Sequence, residues 1–262
     1  MSVVALITDF GLRDHYVAAM KGVILQINPA ATLVDVSHEI PSQDLYHGAY
    51  VLRQALPYFP KETIFVCVVD PTVGSDRRIL AGRYNDRVVL APDNGVLSLL
   101  HRDGELQDLR VVENRRLFAS TLSTTFHGRD IFAPLAGHLS TGTKLDVVGP
   151  SAGHIEVLEI ASPHFDADGS IHGEVVIVDH FGNLITNISE LDLQKSKKRG
   201  APFEVKVGAI DVGPVRRTYS DVKPGEPLAL LGSALMLEIA VNAGSAAQTL
   251  NAGRGTPVHL SY

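Results

Sequence analysis

The chain has 262 residues, of which 45% are hydrophobic and 20% charged, as expected for a globular protein of one large domain or two modest ones. The formal net charge of −6 argues against a nucleic-acid-binding surface, and the single cysteine, Cys67, excludes an intrachain disulfide and a thiolate metal site. No apolar run reaches the ~18 residues of a membrane-spanning helix, and the N-terminus lacks signal-peptide features, so we expect a cytoplasmic protein without a membrane partner.

Strand and helix patterns alternate over the first half of the chain. In chain order we predict a strand at 3–8, a helix ending before Asn28-Pro29, a strand at 32–36, a helix at 43–58, a strand at 63–69, a hairpin of strands at 78–83 and 87–91, a short helix at 94–101, a brief strand at 110–112 and a helix at 130–139. Such alternation indicates parallel strands joined by crossover helices. We therefore predict an α/β domain with a mainly parallel sheet over residues 1–160.

The pattern changes after a turn-rich connection at 150–172, which contains two glycines and two prolines. Beyond it we predict short strands and almost no helix: 171–178, 184–188, 203–207, 215–219, 227–231, 235–241 and 257–261. Regular short strands with glycine and proline between them are typical of a small barrel or sandwich. We therefore predict a smaller, all-β, barrel-like domain over residues 168–262.

Acidic residues follow two of the predicted strands in the first domain. Asp9 ends the first strand, and Asp70 ends the third, seven residues before Arg77. The carboxyl ends of strands in open α/β sheets are where ligands bind. Asp9 is suited to accept hydrogen bonds from a ribose diol or to ligate Mg²⁺, whereas Asp70 and Arg77 form either a turn-closing ion pair or part of a site. Asp14 is either a helix N-cap or a ligand contact.

Three further segments carry candidate site residues. His127 precedes a predicted helix, in a loop expected on the ligand side of the sheet, near the acid and the arginine named above. Asp179 and Asn183 lie in a turn between two strands of the second domain, which is either a hairpin loop or a ligand contact. Glu238 interrupts an apolar strand, where an acid needs a partner or a ligand.

Taken together, five segments resemble, in order, those of the S-adenosylmethionine (SAM) hydrolases, also called SAM hydroxide adenosyltransferases, which are relatives of the fluorinase and chlorinase. The resemblance runs nearly end to end. The segments are Thr8-Asp9-Phe10-Gly11 with Asp14; Val69-Asp70-Pro71 with Gly74 and Arg77; Phe126-His127-Gly128-Arg129-Asp130; Asp179 with Phe181-Gly182-Asn183 and Thr186-Asn187; and Ser233 with Glu238-Ile239-Ala240-Val241-Asn242.

The resemblance implies an N-terminal α/β domain, a C-terminal β-barrel and a homotrimer with active sites between neighbouring subunits. It implies that Asp70, Arg77 and His127 activate a water molecule, and that Asp9 holds the ribose hydroxyls. The other substrate-binding residues that it implies are Asp14, Phe126, Asp179, Asn183, Ser233, Glu238 and Val241. Neither a metal nor another cofactor is expected.

Two positions bear on which reaction the resemblance implies. Thr72 stands where the family often has glycine, and Gln43 stands where the halogenating relatives carry an aromatic residue. Those relatives carry mostly non-ionisable residues at the positions of Asp70, Arg77 and His127. The resemblance therefore implies hydrolysis of SAM to adenosine and methionine by attack of water at the ribose C5′ carbon.

Three other functions are considered beside SAM hydrolysis. A SAM-dependent halogenase, which forms 5′-halo-5′-deoxyadenosine, is one alternative. Acids at strand ends together with His127 suit a metal-dependent phosphatase, the acids being Asp9, Asp35, Asp70 and Asp93. The third alternative is a non-catalytic protein that binds adenosine or SAM.

Overall fold

The computed structural model describes residues 2–104, 106–196 and 202–262. The chain divides into two compact units, Met1–Leu158 and Glu159–Tyr262. Among the described residues, no helix combines the length and the apolar character needed to cross a bilayer.

The first unit is built on a six-stranded mixed sheet, which confirms the predicted α/β class. Its strands are β1 (Val3–Thr8), β2 (Thr32–Ser37), β3 (Ile64–Val68), β4 (Ile79–Tyr84), β5 (Arg87–Pro92) and β6 (Leu106–Val111), in the spatial order β2-β1-β3-β5-β4-β6. Strands β2, β1, β3 and β5 are parallel, and β4 is antiparallel to both β5 and β6. Strand β3 is buried along its whole length, because a central parallel strand is covered on both faces. Cys67 is a core residue of this strand, and burial raises the pKa of its thiol to about 12.

In the described part of this unit, four α-helices accompany the sheet: α1 (Tyr16–Ile27), α2 (Leu45–Ala55), α3 (Ser98–Arg102) and α4 (Ala133–Ser140). Helix α2 begins two residues later than predicted, because the Asp44 side chain accepts a hydrogen bond from the His47 amide and caps it. The preceding residue, Gln43, has φ +67°, which is outside the helical region. The helix predicted at 130–139 is α-helical only from Ala133, because its first three residues belong to a π-helical turn at Gly128–Phe132.

The second unit is a closed seven-stranded barrel, which confirms the predicted barrel-like class. It is formed from β8 (Ile171–Val178), β9 (Leu184–Ser189), β10 (Glu204–Val207), β11 (Ile210–Arg216), β12 (Pro227–Leu231), β13 (Met236–Val241) and β14 (Pro257–Ser261), and the short β7 (His164–Phe165) extends one edge. The ring runs β8-β9-β13-β12-β11-β10-β14, and pairing of β14 with β8 closes it. Alternate side chains fill the interior, with Leu237, Ile239 and Val241 of β13 among them.

Two short helices of this unit, α5 (Glu190–Ser196) and α6 (Ala246–Thr249), are not in the sequence prediction. A capping pair begins α5, in which Ser189 and Asp192 each accept a hydrogen bond from the other's backbone amide. The strand predicted at 215–219 is displaced: β11 ends at Arg216, and Tyr219 begins a 3₁₀ turn that Thr218 caps.

Candidate active site

Asp70, Arg77 and His127 form a continuous hydrogen-bonded chain. Nε of Arg77 donates to both carboxylate oxygens of Asp70, at 2.9 and 2.8 Å, and Nη2 donates to Oδ2 as well. Nη2 also lies 2.9 Å from Nδ1 of His127. The side chains of Asp70 and Arg77 are 4% and 7% exposed, so this ion pair is shielded from water. The structure thus joins three residues that the sequence places on two separate loops.

The contact with Arg77 fixes the tautomer of His127. A guanidinium has only donors, so Nδ1 must accept this hydrogen bond, and the proton of the neutral ring is on Nε2. Burial lowers the pKa of His127, and the charge of Arg77 lowers it further, while Asp70 and Asp130 oppose the shift. His127 is therefore a neutral hydrogen-bond donor through Nε2.

The loop of Asp70 and Arg77 packs tightly against the loop that leads to His127. Gly74 has φ +83°, and a Cβ there would lie 2.4 Å from the carbonyl oxygen of Thr124, so glycine is required on both counts. Thr72 donates a hydrogen bond of 3.2 Å from its hydroxyl to Oδ1 of Asp70. Thr72, which stands where the family often has glycine, thus gives the Asp70 carboxylate a hydrogen-bond donor that glycine could not supply.

Asp70 lines an open cleft of about 700 Å³ at the carboxyl ends of β1 and β3. Asp9 lines it too, and Oδ2 of Asp9 accepts a hydrogen bond of 2.8 Å from the Gln43 amide. Phe126 also lines the cleft. Asp14 is exposed and is not among the described residues that line the cleft, and the N-cap of α1 is His15 rather than Asp14.

One wall of the cleft is aromatic. The rings of Phe10, Tyr16 and Phe126 meet edge to face, with centroids 5.1 to 6.1 Å apart. The Arg129 guanidinium lies 5.1 Å from the centroid of Phe126. The sequence motifs indicate no role for Tyr16 or for the ring of Phe10, although Phe10 lies between Asp9 and Gly11 and Tyr16 opens α1 after the same turn.

The acids proposed for a phosphatase do not form a metal site. Arg77 holds Asp70, Arg78 holds Asp93, and Asp35 lies within β2, where a lysine and a histidine contact it. Within 2–104, 106–196 and 202–262, no three histidine, cysteine or acidic side chains are arranged to hold a metal ion. The carboxylates of Asp35, Asp70 and Asp93 thus each contact a cationic side chain or a histidine, and that of Asp9 accepts from the Gln43 amide.

In the second unit, Asp179 and Asn183 organise the turn between β8 and β9. Oδ1 of Asp179 accepts hydrogen bonds from the amides of Phe181 and Asn183, at 2.9 and 2.8 Å, and Oδ2 accepts from the Asn183 side chain at 3.0 Å. Gly182 has φ +83°, and a Cβ there would lie 2.0 Å from the Ser245 hydroxyl. Asp179 and Asn183 thus both have defined hydrogen-bond partners within this turn.

Glu238 lies near this turn, on the outer face of β13, and is 7% exposed. Its Oε1 accepts a hydrogen bond of 2.6 Å from the Tyr219 hydroxyl. Burial raises the pKa of Glu238 and the negative charge of Asp179 adds to the rise, while the Tyr219 hydrogen bond opposes it. Burial, the hydrogen bond with Glu238 and the negative charges of Glu238 and Asp179 raise the pKa of Tyr219 to about 12.

The two remaining predicted residues, Ser233 and Val241, differ in how exposed their side chains are. Ser233 is exposed, in the turn between β12 and β13. The Val241 side chain packs in the barrel core and is 5% exposed, so a substrate contact by Val241 has to use its backbone. Sequence reasoning missed Tyr219, the partner of Glu238, because it placed that tyrosine at the end of a strand.

In a comparison with known proteins, both units match domain models of the same family. Residues 4–149 match the family model described as the SAM hydroxide adenosyltransferase N-terminal domain, and residues 173–259 match that of the C-terminal domain. A relative from Thermus thermophilus, named (R)-S-adenosyl-L-methionine hydrolase, is 38% identical and covers 99% of this chain and 100% of its own.

A solved structure and a halogenating enzyme are also similar over nearly the whole chain. The structure is of a conserved, uncharacterized protein from Thermotoga maritima, with 39% identity, a TM-score of 0.91, and coverage of 99% of this chain and 100% of that one. The enzyme is a fluorinase from an Actinoplanes species, 27% identical, with coverage of 99% and 97%. The hydrolase is thus more similar to this chain than the fluorinase is.

Proposed function

Since the chain belongs to the SAM hydroxide adenosyltransferase family, we propose that it hydrolyses S-adenosyl-L-methionine to adenosine and L-methionine at the cleft lined by Asp9 and Asp70. The observation that carries this function is the hydrogen-bonded chain Asp70–Arg77–His127, whose Asp70 lines an open cleft. Relatives with 34% to 38% identity are named as SAM hydrolases, which supports hydrolysis over the alternatives.

The chemistry needs an activated water and little else. Methionine leaves as a neutral thioether, so the leaving group requires no general acid. Attack in line at the ribose C5′ carbon forms the C–O bond as the C–S bond breaks. The shielded Asp70 carboxylate orients the water through a hydrogen bond, and the fixed charge of Arg77 favours hydroxide-like character at the attacking oxygen.

The reaction releases one proton, and the structure favours Asp70 as its first acceptor. Arg77 stays charged, and the lone pair of His127 Nδ1 is already engaged by Arg77. The attacking oxygen becomes strongly acidic as the C–O bond forms, so even a weakly basic carboxylate can take its proton. His127 then acts as a donor that holds the water through Nε2–H.

We assign the remaining predicted residues to substrate binding. Asp9 accepts hydrogen bonds from the ribose hydroxyls, and Phe126 and its aromatic neighbours form a face suited to the sulfonium charge. Asp14, which is exposed, is assigned to the methionine side on the family resemblance alone. The adenosine contacts proposed for the second unit come from Asp179, Asn183, Ser233, Glu238 and Val241. We further propose a homotrimer, in which the first unit of one subunit and the second unit of the next complete each site.

The name of the Thermus relative specifies the R configuration at sulfur, and we propose the same epimer as the substrate here. The scheme uses no metal or other cofactor. We also propose that the enzyme acts in the cytoplasm.

Product analysis tests the proposal. Purified protein incubated separately with each sulfonium epimer should form adenosine and methionine in equal amounts, faster from the R epimer, with the rate unchanged by EDTA. A 5′-halo product in the presence of chloride or fluoride would favour the halogenase, loss of activity in EDTA would favour a metal enzyme, and binding without turnover would favour a sensor.

A further inference from the structure

A buried histidine lies behind the loop that carries Asp9. His38 follows β2 and is 3% exposed. Its Nδ1 lies 2.8 Å from the Thr8 hydroxyl, at the end of β1, and its Nε2 lies 2.9 Å from Oδ1 of Asp35. Thr8 is fully buried. Sequence reasoning assigned no role to His38 or Thr8.

The partners of His38 set the direction of each hydrogen bond. Partial burial raises the pKa of Asp35, but the hydrogen bonds from Lys21 and His38 outweigh this and hold it below its ordinary value. Asp35 is therefore ionised and accepts from Nε2–H. In the neutral ring, Nδ1 then accepts a hydrogen bond from the Thr8 hydroxyl. The Thr8 oxygen in turn accepts a hydrogen bond of 3.2 Å from the Phe10 amide.

Two backbone donors complete the connection between residues 8–11 and residues 38–43. The Gly11 amide donates to the His38 carbonyl at 2.7 Å, and the Gln43 amide donates to Oδ2 of Asp9 at 2.8 Å. The Asp9 loop is thus hydrogen-bonded to both ends of the 38–43 segment. His38 contacts Thr8 and Gly11, and the Gln43 amide contacts the Asp9 carboxylate. Gln43 has φ +67°, so its amide direction depends on a strained backbone.

We propose that His38 is a positioning residue that fixes the Asp9 carboxylate for recognition of the ribose diol, through its hydrogen bond with Thr8. The inference rests on the proposed ribose-binding role of Asp9. His38 is not among the described residues that line the cleft, so it acts only through the loop. Replacement of His38 should weaken the selection of ribose over 2′-deoxyribose and leave the Asp70–Arg77–His127 chain intact.

Binding of adenosine and 2′-deoxyadenosine, measured by calorimetry, tests this without requiring turnover. We expect the wild-type protein to favour adenosine by at least about tenfold, the size of one hydrogen bond to a charged group. His38→Leu should reduce that ratio to about threefold or less. His38→Asn keeps an acceptor near the position of Nδ1 and should restore most of the ratio.

The controls separate positioning from general loss of structure. Thr8→Val, which removes the other end of the hydrogen bond, should lower the ratio as His38→Leu does, whereas the exposed His101→Leu should not. The kcat for SAM should fall less than about threefold in His38→Leu. Wild-type discrimination in folded His38→Leu and Thr8→Val would overturn this inference alone, and absence of SAM hydrolysis by the wild type would overturn only the proposed function.

Discussion

At the scale of single residues, Asp70 and His127 differ in what they can do for the water. Asp70 is a buried acceptor paired with Arg77, while His127 has its only lone pair engaged and retains a donor. In the proposed mechanism the two residues thus supply an acceptor and a donor around one small nucleophile. This division of roles follows from the guanidinium between them, which cannot accept a hydrogen bond.

Asp70→Asn should lower kcat about 10²- to 10³-fold and change the dissociation constant for SAM by less than about fivefold. The amide keeps the shape of the carboxylate but removes the charge that orients the water, an interaction that matters mainly in the transition state. Single-turnover rates and equilibrium binding measure the two quantities. The exposed neighbour Asp76→Asn is the matched control. Equal losses in rate and affinity would contradict a catalytic role.

The acid limb of the pH profile should lie below pH 6.5, because burial and Arg77 lower the pKa of His127 from that ordinary value. The folded protein keeps the neutral ring more readily than the unfolded chain does. The contribution of neutral His127 to the stability of the folded protein is therefore complete above pH 6.5 and is lost as pH falls through the lower folded pKa.

Profiles of kcat/KM from pH 5 to 8 measure this limb in the wild type and in His127→Asn, which removes the titrating ring. A limb at or above pH 6.5 in the wild type, or one unchanged in the variant, would be inconsistent with a neutral His127 in the active form.

At the scale of secondary structure, buried strands and the residues that end them could be predicted from sequence. Strand β3 is an unbroken apolar run, and such a run followed by Asp70 and a glycine turn is a strong local signal. The contact between Arg77 and His127 could not be predicted from local pattern. These residues are fifty positions apart, and their pairing depends on which loops meet above the sheet.

Short elements in the barrel escaped prediction for a different reason. Helix α5 has only seven residues, too few for a helical period to stand out, although Ser189 and Asp192 form the spacing of a capping box. Tyr219 was expected in a strand, so its hydrogen bond with Glu238 was not foreseen. The sequence did indicate that Glu238 needs a partner, since an acid in a buried strand cannot remain alone.

Strand β13 offers a stability prediction through Glu238. Burial raises its folded pKa above the ordinary 4.5, so its contribution to stability is complete below pH 4.5 and is lost as pH rises through the folded value. Glu238→Gln removes the charge while keeping the shape. It should increase the free energy of unfolding at pH 8 relative to the wild type, and the gain should shrink towards pH 4.

Urea unfolding at both pH values measures this difference, with the exposed Glu204→Gln of β10 as the matched control. A gain from Glu238→Gln that is equal at pH 4 and pH 8 would show that the ionisation of Glu238 is not its cause.

At the scale of the whole molecule, candidate substrate-binding residues occur in both units of the chain. The proposed trimer predicts that a variant of the first unit and a variant of the second unit can complement each other. Asp70→Asn and Asn183→Ala subunits, inactive alone, should regain activity when mixed trimers form, because some sites then receive one intact half from each subunit.

Activity of refolded mixtures relative to each variant alone measures complementation, with mixtures of two Asp70→Asn preparations as the control. Mixed trimers, shown by mass measurement, that remain as inactive as the single variants would contradict shared sites.

The origin of the oxygen in the product tests water activation most directly. In water enriched in ¹⁸O, a single turnover of SAM should place one labelled oxygen in adenosine, at the 5′ position, and none in methionine, because the attack occurs at C5′ and the C–S bond breaks. Adenosine formed without the label would contradict the account of Asp70, Arg77 and His127 as the groups that activate a water molecule.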